Sequence, residues 1–129
     1  MNTLWRKVSG SLLLLCLTMA AALAAQVRIK AFFSSSFTDT EYQQRVIAKV
    51  NANWQSSGEM AAAGSKTIIV LKCDRNGAVN YQKVYRSSGN RTFDGDAEAC
   101  LNRSAPFPPL PPAYRDPYLE IHFHFLVEE

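Results

Sequence analysis

The stretch from Tyr118 to Leu126 alternates strictly between apolar and polar residues. Leu119, Ile121, Phe123 and Phe125 fall on one side of an extended chain, and Tyr118, Glu120, His122 and His124 on the other. A strand of this kind needs a sheet with one covered and one wet face, so the chain must also supply a covering layer. Two segments have the period for it. Tyr42, Val46, Val50 and Trp54, with Ile47 beside them, form one apolar stripe on a helix over 38–55. Thr38-Asp39-Thr40-Glu41 reads as its capping box. Ala97, Cys100 and Leu101 form the apolar side of a shorter helix over 94–102, with Asp94 or Thr92 as its cap.

Two further strands lie between these helices. Thr67 to Asp74 is rich in β-branched residues, with Ile69, Leu71 and Cys73 on one face. Asp74-Arg75-Asn76-Gly77 is a hairpin turn, and Val79 to Arg86 is the return strand, its imperfect alternation allowing a bulge. The run Pro106-Phe107-Pro108-Pro109-Leu110-Pro111-Pro112 excludes helix and reads as a stiff extended connector, with Phe107 and Leu110 packing on the core. The order α-β-β-α-β predicts an α+β fold, with two helices packed on one face of a three-stranded antiparallel sheet.

The first 25 residues read as an export signal and not as part of the fold. Arg6 and Lys7 precede an uncharged run from Ser11 to Ala25, and Ala22-Leu23-Ala24 fits a small-residue cleavage site. Kept as an anchor, that run would extend roughly 22 Å as a helix, short of the ~30 Å hydrocarbon core unless lengthened back towards Val8. The expected division is therefore 1–25 signal peptide or uncleaved anchor, 26–37 a short lead-in with room for a short extended piece, and 38–129 the exported domain. Without residues 1–25 the formal charge falls from +3 to 12 basic against 11 acidic residues. A near-neutral domain gives no footing to nucleic-acid binding.

Cys73 and Cys100 remain once the signal is set aside, and an even cysteine count in an exported domain favours a disulfide. Closing that loop would stabilise by roughly 3–4 kcal/mol in the chain-entropy account. Two separate buried thiols are the alternative. His122 and His124 share a strand face, but no third ligand is in view, so no metal or cofactor is expected. Ser87, Ser88, Asp94 and Asp96 supply residue types found in hydrolases without a nucleophile elbow or phosphate loop around them, and the acids at 94 and 96 suit a helix start. The chain is expected to have no enzymatic activity and no small-molecule substrate.

From Tyr42 to Phe125 the chain resembles the C-terminal domain of the TonB/TolA group. The carriers are Tyr42, Val46 and Trp54 on the first helix, Arg75-Asn76-Gly77-Ala78-Val79, Ser87-Ser88-Gly89-Asn90, Asp94, the helix Ala97–Leu101, the proline run, and the closing strand Leu119–Phe125. A cysteine in the first strand with one in the second helix is similar to the TolA domain. The resemblance implies a periplasmic protein-binding module, tied to envelope transport or energy transduction, that pairs its last strand with an extended segment of a periplasmic or outer-membrane protein. On this chain that edge strand is Tyr118, Leu119, Glu120, Ile121, His122, Phe123, His124 and Phe125. The same edge would also allow a homodimer. The lead-in is too short to span a periplasm and the apolar run holds no histidine, so the resemblance implies binding and not energy transfer. The alternative is a small periplasmic structural or assembly protein that binds an envelope component, or dimerises, without any link to TonB or Tol systems.

Overall fold

The alternating strands and the helical stripes combine into two layers. The computed structural model describes residues 26–58 and 61–128. The expected signal or anchor at 1–25 lies outside the described residues. The elements run β1 (Gln26–Phe33), α1 (Thr40–Ala52), β2 (Lys66–Asp74), β3 (Val79–Arg86), α2 (Arg91–Ser104) and β4 (Tyr118–Glu128). All strand pairs are antiparallel, in the order β1-β4-β2-β3.

The α+β layout with two helices is as expected, but the sheet has four strands and not three. The fourth is β1, formed by the segment read as a lead-in. Val27, Ile29, Ala31 and Phe33 face the core, yet only Ile29 among them is fully buried. Arg28 and Lys30 stay exposed, and the outward position 32 is itself a phenylalanine. Half-buried apolar residues interleaved with cations and a wet Phe32 give a weak alternation signal, which hid the strand.

Helix α1 buries Tyr42, Val46 and Val50, and α2 buries Phe93, Ala97, Cys100 and Leu101. These meet Ile69 and Leu71 of β2 and Leu119, Ile121, Phe123 and Phe125 of β4 in one core. Trp54 lies just past α1 and sets its ring 5.7 Å from both Phe93 and Phe125. The helix starts differ in detail from the expected ones. Asp39, not Thr38, caps α1 by accepting from the Tyr42 amide at 2.9 Å. Asn90, not Asp94 or Thr92, caps α2 by accepting from the Phe93 amide at 3.0 Å.

The proline run closes the end of the core as expected, with Phe107 and Leu110 buried. It is bonded to the β2–β3 hairpin. The Phe107 amide donates to the Gly77 carbonyl at 2.9 Å and the Leu110 amide to the Arg75 carbonyl at 3.0 Å. The Arg75 guanidinium donates to the carbonyls of Pro111, Tyr114 and Asp116, and the Tyr42 hydroxyl to that of Pro108. Gly77 has a φ of +85°, and a Cβ there would lie 1.9 Å from the Phe107 carbonyl oxygen. Glycine is therefore needed both for the turn and for the close approach of the loop.

Candidate partner-binding edges

The last strand does not form an edge. β4 pairs with β1 from Gln26↔Glu128 to Phe33↔Ile121, and with β2 from Lys66↔Leu126 to Asp74↔Tyr118. Its backbone is hydrogen-bonded on both flanks, which corrects the expectation of a free strand at Tyr118–Phe125. The physical reason is β1, which takes the flank that a three-stranded sheet would leave open. The expected division of side chains holds: Leu119, Ile121, Phe123 and Phe125 are buried, and Tyr118, Glu120, His122 and His124 lie on the open face. His122 Nε2 lies 3.2 Å from Glu120 Oε2, and the His124 ring lies 4.6 Å from that of Phe32.

Among the described residues, the free edges are the outer sides of β1 and β3. Among the described residues, β3 makes no backbone hydrogen bond to any element beyond β2. Its pairing with β2 slips at Ile68/Ile69 and at Lys72/Cys73, leaving Tyr85 and Asn80 as extra residues in two bulges. A groove of about 610 Å³ runs beside this edge. Val79 to Gln82 line one wall, and Asn102, Ala105 and Pro106 the other. An extended segment added to β3 would hydrogen-bond to alternate residues of the strand and send every second side chain into that groove. Sequence reading missed this place because the groove needs α2 and the proline loop brought against a strand some twenty residues earlier in the chain.

Cys73 and Cys100 are free thiols, and no disulfide joins them. Both are fully buried, so the expected faces were right, but their heights differ. Cys100 donates to the Val50 carbonyl at 3.3 Å, at one end of α1. Cys73 lies beside the Tyr42 hydroxyl, near the other end. Tyr42 and Val50 are eight residues apart, roughly 12 Å along a helix, whereas a disulfide needs Cα atoms within about 7 Å. Burial raises the Cys73 thiol pKa and pushes that of Cys100 up to about 11.

The two aspartates considered as a carboxylate pair are each engaged elsewhere. Asp94 accepts from Thr67 Oγ1 at 2.6 Å, from the Ser88 amide and hydroxyl at 3.0 and 2.7 Å, and from the Ser87 hydroxyl. Burial works against its ionised form, but these hydrogen bonds outweigh it and hold the carboxyl below the usual range. Asp96 accepts from the amide and hydroxyl of Ser57. Each carboxylate ties a connecting segment to α2.

A family model described as TonB C terminal matches residues 39–125. The chain belongs to the TonB C-terminal family. In this TonB C-terminal domain the matched residues run from the α1 cap to Phe125 of β4 and leave β1 outside the match. Among solved structures, the chain is similar to the solution NMR structure of TolAIII bound to a peptide derived from the N-terminus of TolB. The TM-score is 0.54 at 22% identity, covering 74% of this chain and 78% of that one, which establishes a shared fold. No curated protein sequence matches the chain. Among the described residues, no helix is long and apolar enough to cross a membrane.

Proposed function

We propose that this domain is a periplasmic binding module that takes up an extended segment of a partner protein as an added strand on the outer edge of β3. The observation that carries the reading is the unpaired β3 edge with its groove against Asn102, Ala105 and Pro106. Family membership supports a protein partner, and the similar TolAIII was solved with a bound peptide. Binding, without catalysis, is the function this reading assigns. Backbone pairing supplies much of the affinity, and alternate side chains in the groove supply selectivity.

A second reading keeps the partner on Tyr118–Phe125. It is favoured by the position of β1 outside the family match: removal of that strand would uncover the flank of β4. One set of variants separates the two. Prolines placed in turn at Asn80, Tyr81, Gln82 and Lys83 sample outward- and inward-facing amides. On the β3 reading, the outward-facing prolines abolish partner capture while the domain stays folded, and deletion of residues 26–33 leaves capture unchanged. A gain of capture on that deletion, with β3 prolines silent, would place the partner on β4. Self-association lost with the same β3 prolines would make the added strand a second copy of this chain.

A further inference from the structure

The open face of the sheet concentrates positive charge in a domain that is nearly neutral overall. Arg28 and Lys30 of β1, Lys66 and Lys72 of β2 and Lys83 of β3 all lie on it, as the register to His122, His124 and Leu126 requires. Of the acids on this face, Glu128 pairs with Arg28 at 3.2 Å, and Asp74 is turned to amides of the hairpin. Among the described acids only Glu120 lies in its interior, 3.9 Å from Lys72. The other described acids are on the helices and loops. Lys30, Lys66 and Lys83 form no ion pair among the described residues.

These cations border two hollows. One, of about 170 Å³, lies between Lys30 and Lys66, with walls of Phe32, His124 and Leu126. The other, of about 340 Å³, lies over Val70, with Lys72 and Lys83 beside Tyr81 and Tyr85 and with Glu120 and His122 opposite. Burial, with Lys66, His122 and Lys30 adding to it, lowers the pKa of His124, so near neutral pH the first hollow presents two ammonium groups around an uncharged ring. Apolar walls around unpaired ammonium groups suit a carboxylate on a short aliphatic stem, because the stem is buried while the charge is paired.

We propose that the open sheet face docks an acidic polypeptide segment of a partner protein, one carboxylate seated between Lys30 and Lys66 and another beside Lys83. The first hollow holds two unpaired ammonium groups and the second holds Lys83 beside the Lys72–Glu120 pair, which matches a chain with spaced charges, whereas a uniformly anionic lipid surface would meet Glu120 directly. A second copy of the same face would oppose cation to cation. The contact uses side chains on the face and is independent of strand addition at either edge.

The test measures binding of the full chain to a short capped peptide alternating glutamate and threonine, with its glutamine counterpart and phosphatidylglycerol-containing vesicles as controls. The acidic peptide is expected to bind with a Kd below about 1 mM, and the glutamine peptide not to bind in that range. Lys30→Glu with Lys66→Glu should weaken binding at least tenfold, while Arg45→Glu on the helix layer leaves it unchanged. Lys30 and Arg45 are exposed and Lys66 is half-buried, so unchanged circular dichroism checks the fold of each variant. Absence of peptide binding overturns the proposal, as does equal weakening by Arg45→Glu. Vesicle binding through Lys30 and Lys66 without peptide binding overturns it in favour of lipid.

Discussion

Asp94 shows how much of this domain is held by single side chains joining distant segments. Its carboxylate accepts four hydrogen bonds from β2 and the β3–α2 turn while sitting in the first turn of α2. Asp94→Asn is expected to lower stability by about 2 kcal/mol at neutral pH, the usual worth of hydrogen bonds to a charged group. Because the folded pKa is depressed, this contribution is present above the unfolded value of about 4 and is lost as pH falls through the folded one. Urea unfolding should therefore show the gap between wild type and Asp94→Asn narrowing in acid. A gap that stays constant would mean the carboxylate charge contributes nothing. The cysteines give a second expectation at this scale. Cys73 and Cys100 are buried with raised pKa values, so alkylation should leave both unmodified in the native domain and label both after unfolding. Mass spectrometry of the peptides reads this directly, and a Cys73–Cys100 linked peptide would contradict it. The sequence shows residue type and face at these positions. It cannot show height along a neighbouring helix, which keeps the thiols apart, or that Thr67 and Ser87 converge on Asp94.

The elements most legible in the sequence are those with strong one-sided burial. β4 and the stripe on α1 follow from their periods, and the hairpin follows from Asn76-Gly77. Gly77 carries a testable consequence. Gly77→Ala should lower stability by about 2–4 kcal/mol, from its positive φ together with displacement of the Phe107 carbonyl. Thermal or urea melts check this, and a neutral result would mean the proline loop moves freely away from the hairpin. β1 was illegible for the opposite reason: an edge strand buries little, and its cations and Phe32 mask the alternation. That one strand changes the meaning of β4, whose pattern was read correctly while its position in the sheet was not. Sheet order depends on pairing between segments far apart in sequence, and the burial pattern of one strand cannot specify its neighbours.

Across the whole molecule, the residues that carry the family resemblance mainly serve as joints. Arg75 and Gly77 hold the proline loop, Ser87, Ser88 and Asp94 hold the start of α2, and Trp54 packs Phe93 against Phe125. They hold the domain together and lie apart from the β3 edge and the open sheet face. Removing residues 26–33 should therefore leave a folded core of lower stability, with β4 newly exposed along Tyr118–Phe125. Hydrogen exchange would show this as lost protection confined to β4 amides facing β1, and global loss of protection would mean that β1 is integral to the core. The central claim, that a partner segment is added at β3, is tested most directly by site-specific photocrosslinking in intact cell envelopes from positions Asn80 and Gln82, with Arg28 and Glu120 as reference sites. The account predicts crosslinks from 80 and 82 to one short stretch of a single envelope protein, and none to that stretch from the reference sites. Crosslinks to that stretch from 28 or 120 alone would contradict it.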